Sequence, residues 1–252
     1  MQNANYTHYG DPRGITYGVQ MLLVANVAAA LIDWLIFPLS RFFSLSGNWW
    51  EHFGVWELLT YQFLHQGPMH LFSNMLGLYF LGPDVERGLG TNRFFTLYFL
   101  SGILGGLGWS LLTPAWHHCV GASGAVFGVL GAYAALYPNR ELILIIMPFK
   151  PIKAWVFVLL LGGYELMHTL GGPGGAVANS AHLSGGIAGY IYALTINRHD
   201  ILRKLRWKAK IRNAQPDITQ GEINRILDKA AAQGMHSLTR DERAKLKRAA
   251  KK

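Results

Sequence analysis

Charged residues are scarce in this chain. They make up 15% of the 252 residues, whereas hydrophobic residues make up 51%, and soluble domains usually contain about 25% charged residues. A single cysteine, Cys119, excludes an internal disulfide framework and leaves the redox compartment open. The pattern His-Glu-x2-His, which a zinc protease of that type needs, does not occur. These shortages favour a membrane protein.

Long apolar stretches are abundant instead. Six of them reach or approach the ~20 residues that a helix needs to cross a bilayer, although the second, fourth and sixth are short. They lie near residues 18–39, 69–82, 94–112, 122–137, 152–170 and 181–196. The first follows a polar N-terminus and lacks a small-residue cleavage site, which predicts a retained span rather than a signal peptide. We expect an all-α membrane protein with a bundle of six transmembrane helices and a short helical tail.

Basic residues are concentrated in that tail. Residues 198–252 have a formal charge balance of +10, and residues 1–197 have one of −1. Loops 113–121 and 171–180 contain no lysine or arginine, so the positive-inside rule predicts both termini in the cytoplasm and a location in the inner membrane. The expected domains are an N-terminal cytoplasmic segment (1–17), a six-span domain (18–197) and a basic cytoplasmic tail with a helical hairpin (198–252).

Reactive polar residues lie at the outer ends of three predicted spans. His70 and Asn74 begin the second span, Ser123 the fourth and His182 the sixth. Polar residues that are retained inside a membrane indicate a functional site, and serine with histidine is the minimal pair for nucleophilic hydrolysis. Because no carboxylate is obvious as a third member, we predict a dyad in which His182 takes the proton of Ser123 and delivers it to the leaving amine.

Hydrolysis also requires donors for the oxyanion. The free first-turn amides of the fourth span, including that of Ser123, point outward from the positive end of a helix. His70 and Asn74 share one helix face and can add side-chain donors, although packing explains either residue alone. Small residues would let the two reactive helices approach closely, and these are Gly124, Gly128, Gly185, Gly186 and Gly189.

Three motifs occur in a fixed order over residues 49–196. They are His65-x4-His70-x3-Asn74, Gly121-x-Ser123-Gly124 and Ala181-His182-x2-Gly185-x3-Gly189. In order and spacing they resemble the rhomboid family of intramembrane serine proteases, of the bacterial type with a C-terminal helical extension. The resemblance implies a six-helix rhomboid fold, and cleavage of single-span or multi-span membrane proteins near their outer ends. We expect no cofactor and no metal.

The resemblance also implies roles for individual residues. Ser123 is the nucleophile, His182 is the base, and His70 and Asn74 join the Ser123 amide as oxyanion donors. The supporting residues are Phe127, Gly121, Gly124, Gly185, Gly189 and His65.

Two positions depart from the family pattern. One turn after the serine, Phe127 replaces the usual tyrosine, which keeps a ring that can stack on the histidine and removes a hydroxyl. The first loop reads Trp56-Glu57 instead of Trp-Arg, so its lipid contacts or rigidity differ. Neither change removes a reacting group.

Two further polar residues lie on the outer half of the fifth span. Glu165 and His168 are one turn apart. They can tune the cavity or the access of substrate, but a polar helix end explains them equally well. The choice remains open at this stage.

The tail has its own pattern. The polybasic stretch 203–212 directly follows the last span and predicts contact with anionic lipid. Thr219-x2-Glu222 and Thr239-x2-Glu242 are capping boxes of two short helices, and Gly234 ends the first helix. Without a recognition motif, we expect no nucleic acid partner.

Other functions compete with proteolysis. An inactive rhomboid-like protein would act as a membrane-protein chaperone or dislocation factor, but such proteins lose the serine and histidine that this chain keeps as Ser123 and His182. A small transporter or channel would need an internal repeat and polar residues at the midplane, whereas the polar cluster lies near one face. The sequence therefore predicts an active serine endopeptidase.

Overall fold

The computed structural model describes residues 14–144, 147–170, 176–214 and 219–250. Most of the predicted segment 1–17 lies outside these residues. The chain divides into two compact units, Met1–His199 and Asp200–Lys252. The helices of the first unit are α1 (Tyr17–Leu35), α2 (Ser40–Phe43), α3 (Glu57–Thr60), α4 (Pro68–Leu89), α5 (Thr91–Leu112), α6 (Ser123–Leu136), α7 (Ala154–Leu170) and the first part of α8 (Ala176–Ala214).

Each predicted span overlaps one of the long helices, but two boundaries differ. Helix α4 continues past residue 82 and through Pro83 to Leu89, because helical backbone does not require the apolar composition that a span does. Helix α8 continues past residue 196 into the basic stretch, where lysine, arginine, leucine and alanine are good helix formers. Among the described residues, α1 and α5 are long and apolar enough to cross a membrane, whereas α6 and α7 are apolar but shorter.

The expectation of an all-α protein was wrong in detail, since the mostly helical chain also contains two small antiparallel ribbons. Leu45–Ser46 (β1) pairs with His118–Cys119 (β2), which joins the first and third loops. Glu141–Leu144 (β3) pairs with Met147–Lys153 (β4) between α6 and α7. Isoleucine-rich segments favour strands, and a loop too short and too charged to be a span gave no hydropathy signal for them.

Helix α6 lies at the centre of the first unit. Ten of its 14 residues are buried, and it packs against α4, α5 and α7. It also contacts the backbone of α8, because a Cβ atom at Gly185 or Gly189 would overlap the carbonyl oxygen of Gly124 or Gly128, respectively. The small-residue spacing read from the sequence therefore corresponds to a close approach of the two helices.

A buried carboxylate holds the start of α1. Glu86 accepts hydrogen bonds from the Gly18 and Val19 amides at 2.9 and 3.0 Å. It also accepts hydrogen bonds from the hydroxyls of Thr16 and Thr91 at 2.5 and 2.7 Å. A carboxylate at a helix N-terminus satisfies amides that lack intrahelical partners. Glu86 thereby connects α1 with the junction of α4 and α5.

Large apolar side chains remain exposed on α1, α7 and α8. Contiguous apolar surface of this kind marks contact with a membrane or another protein. Examples are Met21, Val24, Leu31, Leu35, Leu159, Leu160, Met167, Ile187 and Ile191.

The second unit contains two capped helices after α8. They are α9 (Gln220–Gln233) and α10 (Arg240–Ala249). The Thr219 hydroxyl accepts a hydrogen bond from the Glu222 amide at 3.3 Å. In the second box, the Thr239 hydroxyl accepts from the Glu242 amide at 3.2 Å, and the Glu242 carboxylate accepts from the Thr239 amide at 2.7 Å. Gly234, with φ of +81°, follows α9. Most side chains of the polybasic stretch 203–212 lie outside the described ones.

Candidate active site

Ser123 is the first residue of α6. No side chain caps this helix end at Ala122, and the first intrahelical bond runs from the Val126 amide to the Ala122 carbonyl at 2.9 Å. The amides before Val126 therefore lack partners within the helix. Free amides at the positive end of a helix are suited to binding an anion, and here they adjoin the Ser123 hydroxyl.

Gly121 lies between Ser123 and His70. Its φ of +138° favours glycine, and its amide donates to the Tyr61 carbonyl at 3.0 Å. A Cβ atom at this position would lie 2.8 Å from Cε1 of His70 and 3.7 Å from Oγ of Ser123. The absent side chain thus leaves room for the His70 ring beside the serine.

Helix α4 supplies His70 and Asn74. The Asn74 side chain is buried, and its Nδ2 donates to the His70 carbonyl at 3.0 Å, so one amide proton is used within its own helix. Nδ1 of His70 is buried and has no hydrogen-bond partner among the described residues. These two donors are near the serine helix but are not bonded to Ser123.

His65 packs against His70 from the loop before α4. The two rings meet at 66° with centroids 5.2 Å apart. Burial lowers the pKa of His65 to about 4, and the neighbouring His70 lowers it further in the same direction. His65 is therefore a neutral packing partner at physiological pH.

His182 stacks on Phe127. The ring centroids are 4.2 Å apart and the planes are inclined by only 7°. Phe127 lies one turn after Ser123 on α6, so the ring that replaces the usual tyrosine still contacts the histidine. The stack sets the plane of the imidazole next to the serine helix.

A carboxylate contacts the other edge of the imidazole. Oε1 of Glu165, on α7, lies 3.2 Å from Nδ1 of His182, and Oε2 accepts a hydrogen bond from Nδ2 of Asn179 at 2.6 Å. Glu165 is 5% exposed. The sequence interpretation found no third member for the dyad and left Glu165 paired with His168; in the structure His168 packs against Tyr164 instead, with ring centroids 4.3 Å apart.

The signal for Glu165 was present but incomplete. It is the one acidic residue of α7 and lies in the half of that helix where the histidine was expected. Helix α7 is apolar on every side, so the sequence pattern does not tell which face turns toward His182.

Ser123 and His182 are brought together through their helices. The Ala181 carbonyl oxygen lies 3.5 Å from the position of a Cβ atom on Gly124. Within the described part of the chain, no hydrogen bond joins the Ser123 hydroxyl to the His182 ring. Such bonds are often long in enzymes without substrate. The arrangement combines a hydroxyl, a histidine held on two sides, and free amides.

A largely apolar cavity of about 650 Å³ adjoins the site. Residues of α6, α7 and α8 line it, and they include Phe127, Glu165 and His182, together with Trp155, Leu159, Leu166, Ile187 and Tyr190. The face of Phe127 that is not covered by neighbours borders this space.

Comparison with known proteins gives two family matches. Residues 52–199 match the Rhomboid domain, and residues 212–252 match a family of unknown function, DUF6576.

Three curated relatives illustrate the likeness. The chain is 30% identical over 170 residues to Rhomboid protease GlpG of Photorhabdus laumondii, which covers 67% of this chain and 54% of the relative. It is 35% identical over 147 residues to Rhomboid protein 1, mitochondrial, of Saccharomyces cerevisiae, covering 54% and 40%. It is 35% identical over 153 residues to Rhomboid protease GluP of Bacillus subtilis, covering 60% and 26%. The matched region thus spans about half or less of each relative.

Proposed function

Because the chain belongs to the rhomboid family, we propose that it is an intramembrane serine endopeptidase with Ser123 as nucleophile and His182 as general base. The observation that carries the proposal is the position of Ser123 at the uncapped start of α6, beside a helix that presents a stacked histidine. Its substrates are single-span or multi-span membrane proteins, which it cleaves near the outer face of the membrane.

The proposed setting is a six-span bundle in the inner membrane with both termini in the cytoplasm. The apolar lengths of α1 and α5 support it, as do the exposed apolar side chains of α1, α7 and α8. The expected domain limits, 18–197 and 198–252, are retained as part of the proposal. Anionic lipid at the basic stretch 203–212 completes this setting.

The proposed mechanism begins with attack of the Ser123 oxygen on the scissile carbonyl carbon. Because Nδ1 of His182 faces Glu165, Nε2 is the nitrogen left to take the serine proton. The α6 amides, His70 and Asn74 then donate to the oxyanion. Protonated His182 gives its proton to the leaving amine, and water repeats the sequence on the acyl-enzyme.

Covalent labelling tests this assignment. A fluorophosphonate reagent is expected to modify Ser123 in purified protein, with the adduct located by mass spectrometry, and Ser123→Ala should abolish labelling. Ser184→Ala is a matched control, because that hydroxyl lies against Gly108 of α5, two residues beyond His182. An adduct on another serine, or labelling that persists in Ser123→Ala, would refute the nucleophile.

A further inference from the structure

We infer that Glu165 is a positioning residue for His182, so that the site works as a Ser123–His182–Glu165 triad instead of a dyad. The inference rests on the proposed function of Ser123 and His182. Its basis is the 3.2 Å separation between Oε1 of Glu165 and Nδ1 of His182, on the side of the ring away from the proposed proton transfer.

Both oxygens of the Glu165 carboxylate have partners. Asn179 donates to Oε2 at 2.6 Å, and Asn179 precedes His182 by three residues on the same helix. The carboxylate is therefore oriented by the helix that carries the histidine. A buried carboxylate in an otherwise apolar helix is costly unless its charge is satisfied, and the His182–Asn179 pair satisfies it.

The contact sets the protonation pattern of the ring. A carboxylate only accepts hydrogen bonds, so it favours the tautomer of His182 with its proton on Nδ1. Nε2 then has a free lone pair for the Ser123 proton. After the transfer, the imidazolium faces a negative charge that is already in place.

Stacking on Phe127 cannot supply this orientation. A phenyl ring that lies parallel to the imidazole at 4.2 Å fixes the plane of His182. It does not distinguish the two ring positions related by a half-turn of χ2, nor the two tautomers. The hydrogen bond from Nδ1 to Glu165 distinguishes both, so Phe127 and Glu165 have complementary tasks.

Glu165→Gln tests the triad against a purely structural role that joins α7 to α8. The new amide keeps the volume of the side chain, but Asn179 donates to one of its ends and directs the amide oxygen there. The amide nitrogen then faces Nδ1 of His182 and favours the wrong tautomer. We expect kcat for a transmembrane substrate to fall by roughly 10²- to 10⁴-fold, with KM changed by less than about threefold.

The chain offers a matched control in Glu57→Gln. Glu57 is also buried and also contacts a histidine, with its Oε1 at 2.6 Å from Nε2 of His52, but it lies in the first loop. Glu57→Gln should leave kcat unchanged. A kcat of Glu165→Gln within about threefold of wild type would overturn the triad; if Ser123→Ala were still inactive, the proposed function would stand.

A second measurement does not depend on turnover. In ¹⁵N-histidine-labelled wild type in detergent, with His182→Ala used to assign the signal, NMR should show the neutral His182 ring protonated on Nδ1. The Glu165→Gln protein should shift the proton to Nε2. A wild-type His182 protonated on Nε2 would overturn the inference even if the variant fails to fold, and activity in Ser123→Ala would instead refute the proposed function itself.

Discussion

Phe127→Ala tests how the base is held. The substitution removes the ring that stacks on His182. Truncating a fully buried phenylalanine costs about 3–5 kcal/mol, but Phe127 is only half-buried and borders a cavity of about 650 Å³. Since fewer contacts are lost there, we expect a loss of about 2–3 kcal/mol of folding free energy. Freedom of the imidazole to leave its plane should lower kcat by roughly 10- to 100-fold.

The assay compares kcat, KM and thermal stability in detergent for a transmembrane substrate. Phe99→Ala is a matched control, because Phe99 is also half-buried and stacks on another ring, that of Phe95, on α5. Both alanine variants should lose stability, but only Phe127→Ala should lose kcat. Phe127→Tyr keeps the ring and should remain active. Wild-type kcat in Phe127→Ala would show that the stack does not hold His182.

Three other regions give measurable expectations. Asn74→Ala and His70→Ala should each lower kcat by roughly 10–1000-fold with a smaller effect on KM, the loss expected for an oxyanion donor; wild-type kcat in both would leave them a packing role. Burial raises the pKa of Glu57, but hydrogen bonds, led by that from His52, outweigh burial and lower it below 4.5. Stability from Glu57 is therefore present above that value and is lost as pH falls below it, so the acid-side fall in Tm should be smaller in Glu57→Gln. Deleting residues 213–252 should leave cleavage of a detergent-solubilised substrate intact, and lost cleavage at unchanged Tm would contradict this.

Sequence patterns predicted the helices and the close approach better than the side-chain contacts. The spacing of Gly124 and Gly128 against Gly185 and Gly189 is a local property of two helices, and the structure places these backbones in contact. The end of α4 was set too early because hydropathy falls at Pro83. The helix continues to Glu86, whose partners are on α1 and α5, and such distant contacts leave no periodic signal.

The candidate site shows the same division. Motif order identified Ser123 and His182, and the ring of Phe127 was expected on His182, where the structure has it. The partner of Nδ1 was missed. Its identity depends on the rotation of α7 about its own axis, and a helix that is apolar on all sides carries no moment to predict that rotation.

Cleavage by the serine variant tests the central claim most directly. Wild type and variants would be reconstituted with a single-span substrate, and the products would be located by mass spectrometry. We predict cleavage near the outer end of the substrate by wild type, none by Ser123→Ala or His182→Ala, and a double variant no worse than either single one, because members of a catalytic unit act non-additively. Appreciable cleavage by Ser123→Ala at the wild-type position would contradict the assignment of Ser123 as the nucleophile.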